Sequence, residues 1–202
     1  FVDWSKSTAG MFAKSSITQT GETFSVNGAT LEKRGICSGA RFAQQMTGAL
    51  CSGFLIAPDV LVTAGHCVQG AGDCASHSWI FDYANTDGEK TSFTFTKEQV
   101  YNCSAVLSQK LSSMSGDDYA VIKLDRPVLG RTPLKVRLTG KISVGEPVVV
   151  IGHPTGLPTK IAPGAKVRKS EHDKYFVANL DTFAGNSGSA VFNETTGVIE
   201  GI

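Results

Sequence analysis

The sequence lacks a long apolar run, an excess of either charge and any C-x-x-C pair. No stretch approaches the roughly 18 consecutive apolar residues of a transmembrane helix, so no membrane partner is expected. Lys and Arg number 19 against 18 Asp and Glu, a net charge of +1 with a pI near 7.8. A nucleic-acid partner needs a basic excess or a concentrated basic patch. The most basic short run, Lys166-Val167-Arg168-Lys169, alternates like the solvated face of a strand, so no nucleic-acid partner is expected either. Without C-x-x-C spacing there is no zinc motif, and neither a metal nor another cofactor is expected. Sustained helical periodicity is also missing, which disfavours an alternating α/β fold.

The chain does not start with methionine and shows no signal peptide; its Phe1-Val2-Asp3-Trp4 start reads as a mature or processed product. What it does contain is 5 cysteines in 202 residues, which fits an oxidising compartment, secreted or periplasmic. Residues 1–20 are polar and small without a sustained period and read as an N-terminal arm with at most a short helix. From there the pattern is short β-like runs broken by Gly, Pro, Asn and Asp. The clearest are Leu50–Ile56, Val60–Thr63, Ser78–Tyr83, Thr91–Phe95, Tyr119–Leu124, Pro147–Ile151, Tyr175–Leu180, Ser189–Phe192 and Val198–Ile202. Many short strands separated by turn signals predict a sandwich or barrel. Pro127 and Gly130, in the stretch Asp125–Gly130, divide the chain into β-rich halves at 21–126 and 127–202.

Three stretches carry chemistry. In Cys51–Cys67 a strand, a Pro58-Asp59 turn and a second strand lead to His66, and cysteines at both ends could brace the histidine's backbone. A disulfide closing such a loop is worth about 3 kcal/mol. Asp117-Asp118 stands directly before the apolar strand Tyr119–Leu124, and either carboxylate could orient an imidazole, since side chains alternate faces along a strand. Gly185-Asn186-Ser187-Gly188-Ser189 exposes a hydroxyl in a small-residue turn that leaves backbone N–H groups free beside it. The order His66, Asp117 or Asp118, Ser187 is one of three chain orders known for a Ser-His-Asp triad. A G-x-S-x-G elbow would need glycine where Ser189 stands.

From about Gly21 to Ile202 the chain resembles the trypsin/chymotrypsin-fold serine endopeptidases. T-A-G-H-C (Thr63–Cys67) is similar to their histidine motif, with Cys51 at the position expected for a bridge to Cys67. D-Y-A-V-I-K-L (Asp118–Leu124) is similar to their aspartate motif and selects Asp118 over Asp117. G-N-S-G-S (Gly185–Ser189) resembles their serine motif in the form typical of the bacterial glutamyl-endopeptidase-like branch. The resemblance implies an all-β fold of two antiparallel β-barrels, with the active site in the cleft between them. It implies a polypeptide substrate, catalysis by His66, Asp118 and Ser187 through an acyl-enzyme, and an oxyanion hole at the N–H groups of Gly185 and Ser187.

For the substrate pocket the resemblance implies Asp181, an acid on the pocket floor that favours Arg or Lys at P1. Thr182 takes that place in glutamyl-type relatives, so acidic P1 is the alternative. Of the remaining cysteines, Cys74 and Cys103 are expected to pair within the first barrel, leaving Cys37 odd. Asn186 stands where zymogen-activated members carry an aspartate, so activation by a freed N-terminal ammonium is not expected. Gly197–Ile202 reads as the strand entering the pocket wall, which makes the second barrel incomplete at the C-terminus. A propeptide or a C-terminal fragment is then expected as the partner completing the pocket. The competing reading is a protease-fold binding or toxin-like protein with absent or highly restricted proteolysis.

Overall fold

The computed structural model describes residues 1–86 and 90–202. In the first part of the chain, helix α1 (Val2–Ser5) is followed by strands β1 (Thr8–Ala13), β2 (Ile17–Thr20), β3 (Thr23–Asn27), β4 (Cys51–Ala57) and β5 (Val60–Thr63). Helix α2 (Ala71–Ser76) precedes β6 (His77–Phe81), β7 (Ser92–Thr96), β8 (Val100–Ser112) and β9 (Asp117–Leu124). The second part contributes β10 (Pro147–Gly152), β11 (Lys160–Lys169), β12 (Val177–Ala178), β13 (Ala190–Asn193) and β14 (Ile199–Gly201).

Six strands close into an antiparallel barrel in the order β1-β4-β5-β9-β8-β6. Strands β12-β11-β10-β13-β14 form a second, five-stranded sheet, and β2-β3-β7 a small sheet beside the barrel. The architecture is thus the expected chymotrypsin-like one, a closed first barrel and a half-barrel. Along β10, Val148 and Val150 face one apolar cluster with Val167 and Val191. The alternate residues Val149 and Ile151 face another, with Phe54 of the first barrel and Phe192. The two-residue period of a strand therefore buries β10 on both faces and seats the half-barrel against the barrel.

Residues 1–20, expected to be an arm, are instead structural. β1 closes the barrel by pairing with β4 on one side and β6 on the other. Its first 5 residues, Thr8–Phe12, are all buried. A strand covered on both faces does not alternate, and this one is built of small residues, so its pattern carries no period. Before it, the Trp4 ring stacks on Phe192 with centroids 5.0 Å apart, joining the chain start to the half-barrel. Four other strands, β2, β3, β8 and β11, and helix α2 were also hidden. β8 is broken by register shifts near Cys103 and Val106. β11 carries Pro163-Gly164 at a bulge opposite β10, where a breaker pair is tolerated. β2 is too exposed to show an apolar face.

The connection from Leu124 to Pro147 is free of strands and contains the Asp125–Gly130 stretch. Disulfides join Cys51 to Cys67 and Cys74 to Cys103, and Cys37 is free and exposed. Among the described residues no helix is long and apolar enough to cross a membrane.

Candidate active site

The β4–β5 hairpin delivers His66 to the barrel rim. Gly65, just before it, lies so close to β8 and β9 that a Cβ there would overlap the Lys110 carbonyl. The Cys51–Cys67 bond holds both ends of the hairpin. From the start of β9, Asp118 grips His66 at two points. Its Oδ1 accepts the His66 backbone N–H at 2.9 Å and its Oδ2 lies 2.7 Å from Nδ1. A carboxylate only accepts, so the hydrogen of this contact is on Nδ1, which in the neutral ring leaves the lone pair on Nε2.

The neighbouring Asp117 points elsewhere, as the pleat requires. It meets Lys110 at 2.7 Å, the Ser115 hydroxyl at 2.6 Å and Lys174 at 3.7 Å. The hydrogen bond from Lys110, helped by that from Ser115, holds its carboxyl at about 2, below the ordinary 3.8.

Ser187 lies in the turn before β13. Gly185 and Gly188 on either side have φ of +94° and +83°, left-handed conformations that favour glycine. A Cβ on Gly188 would also overlap the Ser52 carbonyl. The carbonyls from Ala184 to Ser187 are all engaged. Ala184 O accepts from Thr155 N at 2.5 Å, Asn186 O from Ser189 N at 2.7 Å and Ser187 O from Ser52 N at 2.8 Å. Gly185 O accepts from the Ser52 hydroxyl at 2.9 Å. The N–H groups of Gly185 and Ser187 donate to no carbonyl among the described residues. The Asn186 side chain stays within its own turn, accepting from the Ser189 hydroxyl at 3.1 Å.

His66, Asp118 and Ser187 line one cavity of about 690 Å³, together with Thr182, Lys174, Tyr175 and Glu200. Ser187 Oγ and the His66 ring face this space without a direct hydrogen bond; such contacts often tighten only when substrate is bound. Asp181 is not on this cavity. It borders a neighbouring one of about 560 Å³ with Arg41, Phe42 and Lys160, and Phe183 touches both. The Cys74–Cys103 bond ties α2 to β8 and takes no part in the cavity. Cys51, His66 and Cys67 bring three donor atoms within 4.8 Å of one another, but both sulfurs are spent in the disulfide and offer no thiolate to a metal.

Several residues at the site gave no sequence signal. Thr155 and Lys174 stand in no motif and reach the site only through the fold, while Ser52 and Glu200, inside the Cys51–Cys67 and Gly197–Ile202 stretches, carry no mark of their own. His153 is wholly buried and stacked on Tyr83. Burial keeps it neutral, its pKa lowered to about 4, and its Nδ1 donates to Leu157 O at 3.0 Å.

An imidazole held by a carboxylate, a serine in a glycine turn and a two-barrel frame define a class, the serine peptidases of chymotrypsin-like fold. The family model of the trypsin-like peptidase domain matches residues 51–202. The chain belongs to that family, whose chemistry is that of serine endopeptidases. No curated protein matches the sequence significantly.

Solved structures share the fold at low identity. The serine endoprotease from Yersinia pestis aligns over 100% of this chain and 54% of its own, at 13% identity and a TM-score of 0.58; the chain thus spans about half the length of that protein. The Rv3671c protease of M. tuberculosis, in an inactive form, aligns over 100% and 78% at 17% identity and a TM-score of 0.56. Deg5 aligns over 100% and 80% at 16% identity and a TM-score of 0.57.

Proposed function

We propose that the chain is a secreted serine endopeptidase that hydrolyses polypeptides through an acyl-enzyme. The observation that carries this reading is the two-point grip of Asp118 on His66 across the cavity from Ser187. Ser187 Oγ attacks the peptide carbonyl carbon while His66 Nε2 takes its proton. The C–N bond then breaks as the imidazolium returns that proton to the leaving amine. Water repeats the sequence on the ester, releasing the acid and restoring Ser187. Asp118 keeps the imidazole in the required tautomer and stabilises the imidazolium. The N–H groups of Gly185 and Ser187 meet the oxyanion; losing one such donor costs about 3–4 kcal/mol. Two disulfides support an oxidising, extracytoplasmic location.

Replacing Ser187 by Ala is expected to abolish both labelling by a fluorophosphonate probe and digestion of denatured casein. Persistent labelling of that variant sinks the reading. Labelling of the intact protein without digestion points to restricted specificity, and no labelling at all to a binding protein.

The P1 preference has two readings. Asp181 supports Arg or Lys by charge pairing. The position of Thr182 on the cavity with Ser187, and of Asp181 outside it, favours the second, an acidic P1. Paired peptide substrates differing only in Arg or Glu at P1 separate the two.

A further inference from the structure

Each peptide plane of the nucleophile turn is fixed by what its carbonyl binds, because a planar peptide sets its N–H opposite its C=O. Two of the four tethers come from a single residue of the first barrel. Ser52, in β4 and 0% exposed, donates its backbone N–H to Ser187 O at 2.8 Å and its hydroxyl to Gly185 O at 2.9 Å. The same hydroxyl oxygen accepts the His153 N–H at 3.0 Å. A hydroxyl has one hydrogen to give and lone pairs to receive, so its direction is set: His153 N–H into Ser52 Oγ, Ser52 O–H into Gly185 C=O.

The other end of this relay is equally firm. His153 opens the turn to Leu157, whose Gly156 carbonyl accepts the Gly48 N–H at 2.8 Å and lies 3.0 Å from the Tyr83 hydroxyl, itself 2.9 Å from Met46 O. Thr155, in the same turn, sits at φ +55°, a left-handed conformation that a non-glycine residue adopts only under strain. In that conformation its N–H reaches Ala184 O. The strained turn and the Ser52 hydroxyl thus hold consecutive peptide planes, Ala184–Gly185 and Gly185–Asn186. The first of these bears the Gly185 N–H.

We propose that the Ser52 hydroxyl is a positioning group for the oxyanion hole, acting through the Gly185 carbonyl without touching substrate. This rests on the serine-endopeptidase reading above. With Asn186 confined to its own turn, the relay supplies from within the fold the order that an ion pair supplies in zymogen-activated members. Removing the hydroxyl leaves Gly185 C=O and His153 N–H unpaired and frees the plane next to the Gly185 N–H. A displacement of even an ångström at such a donor costs up to about 100-fold in rate.

The test compares Ser52→Ala, and the equal-shaped pair Ser52→Thr and Ser52→Val, with the wild type. Rates are normalised to active sites titrated with a fluorophosphonate. For Ser52→Ala and Ser52→Val, kcat is expected to fall roughly 10- to 100-fold with KM within about twofold, the mark of an interaction made in the transition state. Affinity for a peptide aldehyde, which presents an oxyanion, should fall by the same factor, while Ser52→Thr retains most of both. If Ser52→Ala does not fold, the Thr and Val pair decides, since only the hydroxyl separates them. Equal kcat per titrated site in Ser52→Thr and Ser52→Val, or in Ser52→Ala and the wild type, overturns the proposal even if melting temperatures differ. Wild-type protein that takes no label, or Ser187→Ala that reacts as wild type, overturns the underlying reading instead.

Discussion

The two disulfides should separate stability from activity, because they close loops of similar length at different distances from His66. Cys51 and Cys67 are 16 residues apart, Cys74 and Cys103 29. The chain-entropy relation puts the first at about 3.1 kcal/mol and the second at about 3.6 kcal/mol. For a domain of this size, losses of that order lower the melting temperature by roughly 6–14 °C. The sulfurs of Cys51, Cys67 and Cys74 are buried in the barrel core, so Ala replacements leave only small voids.

Cys74→Ala with Cys103→Ala is expected to unfold at lower guanidinium, with kcat per titrated active site within about twofold of wild type. Cys51→Ala with Cys67→Ala loses a similar amount of stability and also activity, by about tenfold or more. Cys67 directly follows His66, and Cys51 directly precedes the Ser52 that ties the nucleophile turn. Guanidinium unfolding followed by fluorescence, beside burst titration of the same samples, reads both quantities. Full kcat in the folded Cys51/Cys67 variant, or lost kcat in the folded Cys74/Cys103 variant, refutes the argument.

Two further expectations concern pH. Asp117 has its carboxyl held at about 2, below 3.8; its contribution is therefore complete above about pH 4 and disappears as pH falls through 2. Thermal unfolding of wild type and Asp117→Asn should accordingly differ at neutral pH and converge at the acid end, and a gap constant with pH contradicts this. Buried His153 has its pKa lowered from 6.5 to about 4, so stability is full above pH 6.5 and drains as pH falls from there toward 4. His153→Phe should flatten the stability curve across that window, and an unchanged slope shows that another group titrates there.

The parts of the site that could be read in the sequence are those written locally. His66 announces itself by the cysteine beside it, Asp118 by the strand it begins, Ser187 by its glycines. Their order along the chain links them without any knowledge of space. The Ser52 hydroxyl had no such marker, because its partner Gly185 lies 133 residues away. Thr155 was hidden for a related reason: a left-handed φ at a non-glycine residue leaves no trace in composition. Pocket residues fared differently again. Asp181 and Thr182 are adjacent in sequence, yet they face different cavities, a divergence that spacing alone could not announce. Among the strands, runs rich in β-branched and aromatic residues were legible, the buried β10 and β13 included, whereas β1, the exposed β2 and β3, the bulged β8 and the Pro-Gly-bearing β11 were not.

The long reach of Ser52 bears on the order in which the protein assembles. His66 and Asp118 are 52 residues apart and belong to one barrel, so they can meet while the rest of the chain is still unstructured. Gly185 and Ser187 acquire their orientation only when that barrel is met by a half-barrel from the far end of the chain. Contacts of such separation carry a larger loop-closure cost than those within the barrel. A chain in which only the first barrel has formed would hold His66 and Asp118 together without an ordered turn around Ser187. On the serine-endopeptidase reading proposed above, the hazard of a hydrolytic site among unfolded copies of the same protein is deferred until there is little unfolded chain left to attack.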